Sequence, residues 1–273
     1  MEKSKIRKPA VAGQFYPSSA QDLKNEIGKL IDKKAAKSDV IACMLPHAGY
    51  AYSGKVAADT VSSMNIKDKV ILIGPNHTGY GATFSIMAEG IWQTPLGEIK
   101  IDNGLTRQIL SRCKYLEDDN RAHLYEHSLE VELPFLQYFK DDFEIVPIVV
   151  LSGELVILKA IGRDIANVIN ESDAKSSTII VASTDMTHYE PQDEAVQKDK
   201  EAIQAILELD EEKLTQKVQS LSISMCGWAP TVVMLAAAKL LGAQKAKLIK
   251  YQTSGDVTGD KHSVVGYAGI IIY

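Results

Sequence analysis

Residues 40–54 read VIACMLPHAGYAYSG, and residues 69–81 read KVILIGPNHTGYG. Each contains a continuous apolar run, Val40 to Leu45 or Val70 to Ile73, with a proline between that run and a histidine. A short run without polar alternation marks a strand buried on both faces, and proline ends it because it has no N–H for the ladder. His47 and His77 are therefore expected just past the carboxyl ends of two inner strands. A third run, Ser177 to Ser183, leads into TDMTHYE and sets Asp185 and His188 in the same position.

Outward from these stretches, strands and helices alternate. Leu23, Ile27, Leu30 and Ile31 recur at helical spacing behind the cap-like pair Ser19 and Asp22. Ser53 is placed as the cap of a helix reaching Met64. Thr83 to Asp102, with Trp92, Pro95 and Gly97, reads as hairpins or an irregular excursion, followed by a helix from Gly104 to Cys113. Ser128 to Phe139 reads as helical despite Pro134, Phe143 to Leu151 as a strand, and Glu154 to Asn170 as an amphipathic helix. Two helices within Gln192 to Gln219, one from Ala229 to Leu241, and strands near Lys247 to Gln252 and Val264 to Ile272 complete the pattern. Such alternation predicts an α/β fold with a mainly parallel central sheet and helices on both faces, whose ligands bind beyond the carboxyl ends of the strands. No internal repeat or linker divides the sequence, so one domain over residues 1–273 is expected.

Composition narrows the classes of function. The 273 residues are 45% hydrophobic and 24% charged, with a formal charge of −5, the profile of a globular protein without a basic block. Nucleic-acid binding, which needs clustered Lys and Arg, is not expected. The basic start, Met1 to Pro9, has no apolar stretch behind it, and no apolar run is long enough to cross a bilayer. Cys43, Cys113 and Cys226 are odd in number and widely spaced, which argues against a disulfide framework and for a reducing compartment. A cytoplasmic protein is expected.

An isolated histidine after a strand is ordinarily a hydrogen-bonded loop residue. Two in matching contexts, LPHAGY and GPNHTGYG, raise the alternative that they share a metal ion, and the glycines beside them would let the backbone approach it. Cys226, in SMCGWAPT, precedes a helix whose N-terminal amides would favour thiolate, although spacing alone leaves it first a small buried residue. Cys43 and Cys113 fit that bland role better. Asp185 and His188 form either a carboxylate-oriented acid/base pair or a capping aspartate beside an exposed histidine. His123 and His127 have the spacing of a helical metal pair, yet Glu126 and Ser128 suit a helix start equally; His127 is favoured as a supporting residue. His262 falls in a solvated turn.

Taken together, LPHAGYAYSG, ILIGPNHTGYG, HSLEVELPFL, STDMTHYE, SMCGWAP and TSGDVTGD with SVVGYAGI resemble the Memo family across nearly the whole chain. The resemblance implies an α/β fold shared with class III extradiol dioxygenases, which use non-haem iron(II). It implies His47, His77 and Cys226 as metal ligands, His188 as the acid/base with Asp185 before it, and His127 lining the same cleft. The dioxygenases complete their site with a carboxylate where this chain has Cys226, and a thiolate shifts preference toward copper, zinc or a differently tuned iron and is itself oxidisable. The expected protein is a metal-dependent redox or oxygenase-like enzyme using iron(II) or copper, with zinc a further candidate. Alternatives are a non-enzymatic binding or adaptor protein and a metal-dependent hydrolase. The expected partners are a small-molecule or peptide ligand in the cleft and, through family association, radical-SAM and AMMECR-type proteins.

Overall fold

The structure, a computed structural model, describes residues 5–273. In chain order the strands are β1 (Ile6–Arg7), β2 (Ala42–Leu45), β3 (Lys69–Pro75), β4 (Phe84–Ile86), β5 (Ile91–Thr94), β6 (Gly97–Ile101), β7 (Glu117–Asp118), β8 (Glu144–Val150), β9 (Thr178–Ser183), β10 (His188–Glu190), β11 (Ala246–Thr253) and β12 (Val264–Ile272). The α-helices are α1 (Ala20–Leu30), α2 (Tyr50–Ser62), α3 (Asn103–Arg112), α4 (Leu133–Phe139), α5 (Leu155–Glu171), α6 (Gln192–Leu207), α7 (Glu211–Ser220), α8 (Trp228–Leu240) and α9 (Ser254–Thr258).

The strands form one sheet whose main path runs β1-β5-β6-β8-β3-β9-β2-β12-β10. Its centre, β8-β3-β9-β2, is parallel throughout. Antiparallel pairs occupy both flanks: the β5–β6 hairpin on one side, and β12 against β2, β10 and β11 on the other. The sheet is parallel at its centre, as the sequence pattern implied, and mixed at its flanks, because hairpin-linked segments need no crossover helix and can join an edge directly.

Successive side chains of a strand point to opposite faces, and here both faces are covered. Ala42, Met44, Ile71, Ile73, Ile180 and Ala182 join the core beneath α3, α5, α6, α7 and α8. Cys43, Leu45, Val70, Leu72, Ile179 and Val181 join the core beneath α1, α2 and α4. This two-sided burial explains why the inner strands are apolar at every position. Cys43 and Cys113 are free and fully buried, as their settings implied.

Three local expectations change. Helix α2 begins at Tyr50 behind Gly49, and the Ser53 hydroxyl donates to the Ala48 carbonyl inside the first turn instead of capping it. Residues 128–139 are not one helix: a 3-10 turn, Glu130–Glu132, leads into α4, where Pro134 sits in the first turn and breaks no bond. His127 precedes both in irregular backbone, so His123 and His127 share no helical face.

Candidate metal centre

Topology brings the histidine loops together. Strand β9 lies between β3 and β2 and runs parallel to both, so the segments leaving all three strands emerge side by side at one end of the sheet. His47 follows β2, His77 follows β3, and Asp185 follows β9. The His47 backbone N–H donates to Asp185 Oδ1 at 2.9 Å, tying two of these segments together.

Cys226 arrives from the opposite direction, at the start of α8. The Gly227 N–H donates to Thr184 Oγ1 at 2.8 Å. A Cβ at Gly227 would lie 2.4 Å from both the Ser183 carbonyl oxygen and Thr184 Cβ, so only glycine lets α8 start against the end of β9. The Cys226 sulfur then sits 3.3 Å from His47 Nε2, and the Asp185 N–H donates to it at 3.3 Å. The glycines beside the histidines have other uses. A Cβ at Gly49 would meet only ordinary contacts, and Gly79 serves a left-handed turn with open space around it.

The donor atoms of His47, His77 and Cys226 all lie within 4.8 Å of one another. Those of His77, Glu126 and His127 satisfy the same distance, but hydrogen bonding separates the two groups. Glu126 Oε1 accepts from His77 Nδ1 at 2.9 Å and from the backbone N–H groups of His127 and Ser128 at 2.8 Å each, while Oε2 accepts from the His77 N–H. With its lone pairs directed at these donors, Glu126 orients His77 instead of offering itself to an ion. Burial opposes charge on Glu126, yet the hydrogen bond from His77 and its neighbours bring its pKa down to about 2.

Both ligand candidates therefore have Nδ1 engaged behind them, against Ser183 Oγ at 2.8 Å for His47 and against Glu126 for His77. That arrangement leaves Nε2 for a metal, the usual outer support of a ligating imidazole. Burial, reinforced by the neighbouring His77, His127 and His188, keeps His47 neutral well below the usual histidine range. Two imidazoles and one cysteine sulfur fit a borderline or soft d-block ion with further positions left for exogenous ligands.

Cys226 departs from the expectation of a favoured thiolate. Burial and the facing Asp185 carboxyl push its thiol up, outweighing the Asp185, Thr184 and Gly227 hydrogen bonds that favour charge. Asp185 is itself raised, to about 6, by burial.

His127 lines the same space, stacked on His77 with centroids 4.7 Å apart and edge-on to His47 at 5.5 Å. His188 does not receive the orienting bond expected from Asp185, whose Oδ1 is taken by the His47 turn. Instead its backbone N–H donates to Ser224 Oγ at 2.7 Å, and its Nδ1 faces the Ser224 carbonyl at 2.9 Å. His123 lies apart from the site, fully buried against Trp92, and neither ring nitrogen has a hydrogen-bond partner among the described residues. His262 is exposed. The supporting residues Glu126, Ser128, Ser183 and Ser224 carried no signal for this role in the sequence, beyond Glu126 and Ser128 lying beside His127.

The fold and site define an α/β protein with a two-histidine, one-cysteine cluster at the carboxyl end of its parallel strands. The family described as Memo-like protein matches residues 7–271. MEMO1 family proteins of Aquifex aeolicus, Methanosarcina mazei and Methanopyrus kandleri are 45%, 42% and 40% identical to this chain. The alignments cover 98%, 98% and 97% of this chain and 99%, 99% and 98% of those proteins. The chain belongs to the Memo family. An uncharacterized Escherichia coli K12 protein of known crystal structure shares the fold, with a TM-score of 0.59 at 14% identity over 84% of this chain and 98% of that one. Among the described residues, no helix is long and apolar enough to cross a membrane.

Proposed function

We propose that this Memo-family chain binds iron or copper through His47, His77 and Cys226 and acts as a redox or oxygenase-like enzyme on the plan of the class III extradiol dioxygenases. The observation that carries the proposal is the convergence of His47 Nε2, His77 and the Cys226 sulfur, with each imidazole supported at Nδ1. A bound iron or copper ion would supply electron-transfer or dioxygen chemistry. His188 holds a proton on Nδ1 against the Ser224 carbonyl, so its Nε2 can take one from a ligand in the cleft. His127 and Phe15, with ring centroids 4.8 Å apart, give that ligand an aromatic wall. Because the Cys226 thiol is held protonated by burial, metal uptake must release a proton and strengthens as pH rises.

The test is anaerobic titration with iron(II) and copper(I), followed by metal analysis of the wild type and of the His47→Ala and Cys226→Ala variants. One ion per chain in the wild type, lost in both folded variants, is expected. Retention of stoichiometric metal by both would overturn the site. Oxygen uptake by the loaded protein with candidate small molecules separates redox chemistry from metal-assisted hydrolysis and from binding without turnover.

A further inference from the structure

Behind His47, one hydroxyl has three close polar neighbours. Ser183 Oγ lies 2.7 Å from the Ser128 carbonyl oxygen, 2.8 Å from Glu132 Oε1 and 2.8 Å from His47 Nδ1. Ser183, Ser128, Glu132 and His47 are all buried. A hydroxyl has one hydrogen to give and two lone pairs to receive. The carbonyl only accepts, so the Ser183 hydrogen goes to it. The other two contacts then each need a hydrogen from the far side, one from His47 Nδ1 and one from the Glu132 carboxyl. Any other assignment sets lone pairs against each other at hydrogen-bond distance in a buried site, where unpaired polar contacts are costly.

A second observation agrees. Among the described residues, Glu132 Oε2 is buried with no hydrogen-bond partner, and no cation offsets the burial that pushes this carboxyl's pKa up. An ionised side chain there would be an uncompensated interior charge.

We propose that Ser183 is the positioning residue for His47. Its hydroxyl, spent on the Ser128 carbonyl and receiving the Glu132 carboxyl O–H, holds the imidazole as the Nδ1–H form with its Nε2 lone pair facing the Cys226 sulfur. The site thus has its ligand tautomer set before any ion arrives. The proposal rests on the metal reading of His47 only for its affinity consequence, since the tautomer belongs to the metal-free protein.

Two measurements on the metal-free full chain test it. Long-range proton–nitrogen NMR of histidine-labelled protein, with the His47 signals assigned by their absence from His47→Gln, is expected to show Nδ1–H and a bare Nε2 at pH 7. The infrared spectrum at pH 7 is expected to contain a protonated-carboxyl band that disappears in Glu132→Gln. This variant keeps a side-chain N–H to donate to Ser183, so it should leave the tautomer unchanged and iron(II) affinity within about threefold. Ser183→Ala should mix the tautomers and weaken iron(II) binding by roughly 10- to 100-fold. The proposal is overturned by a wild-type Nε2–H form, by an ionised Glu132, or by a folded Ser183→Ala variant with the wild-type tautomer. If the wild type binds no metal, the NMR and infrared results still decide this proposal, and only the functional reading above fails.

Discussion

His47 and His77 occupy equivalent positions after β2 and β3, the two parallel strands that flank β9 in one sheet, yet they are supported in opposite ways. His47 is buried and backed by the hydroxyl of Ser183. His77 sits at the exposed rim and is backed by Glu126, an ionised carboxylate that collects four N–H donors. Both Glu126 and Glu132 are buried, so the supply of N–H donors, not burial, accounts for the contrast. An anion behind the buried His47 would need its own compensation, whereas backbone amides and a rim imidazole supply it for Glu126. The His47 side is therefore preset by a neutral hydroxyl, and the His77 side is the one that charge can tune.

The comparison breaks most decisively at the shared third donor. Cys226→Ala should abolish stoichiometric iron or copper binding, as read by metal analysis, because it removes the donor facing the inner histidine. A variant retaining full metal would mean that the His77 side, with Glu126 and His127, holds the ion alone.

Next in size is the loss of the buried carboxylate behind His77. Glu126→Gln should weaken metal binding by roughly 10- to 100-fold, measured by anaerobic titration, and should also alter acid stability. The Glu126 pKa falls from an ordinary 4.5 to about 2 in the fold. The stabilisation it gives is fully present above pH 4.5 and is lost as pH falls toward 2. It amounts to about 3 kcal/mol for an interior group. The stability gap between wild type and Glu126→Gln, from denaturant melts, should shrink over that window. On the other side, His47 is depressed, so below pH 6.5 the unfolded chain takes up a proton that the folded chain refuses. Its contribution is present above pH 6.5 and wanes as pH falls. NMR titration should find His47 still neutral at pH 6.5, where an ordinary histidine is half charged, and a protonated ring there would contradict the preset side.

A smaller effect is expected from Gly227→Ala. The added Cβ meets the Ser183 carbonyl at 2.4 Å, and overpacking of this kind costs about 1–3 kcal/mol. Thermal melting should report the loss, with weaker metal binding as Cys226 shifts from His47. Smallest of all, His188→Gln should leave metal affinity within about threefold while abolishing any proton-dependent turnover. A large affinity loss would place His188 among the ligands.

Much of this could be read from the chain. Runs that are apolar at every position identify strands covered on both faces, and the prolines after Leu45 and Gly74 end them before a histidine. The site-bearing loops were therefore legible. The partners of the histidines were not, because Glu126 is 49 positions from His77 and Ser183 is 136 from His47. A serine at a strand end and a glutamate in a loop have no periodicity to reveal them. Asp185 misled by proximity: three positions from His188 in sequence, it turns instead to the His47 backbone. Cys226 misled in the other sense, since a helix start favours thiolate but burial outweighs it.

By itself, then, the sequence determined which segments are inner strands and that His47, His77, Asp185 and His188 lie near their carboxyl ends, because alternation and proline chemistry act over a few residues. Only the tertiary structure decided that β9 lies between β2 and β3, that Gly227 lets α8 approach close enough to bring Cys226 to His47, and which histidine is backed by a carboxylate. Those outcomes depend on strand order and close packing between distant segments, and local physical chemistry does not encode them.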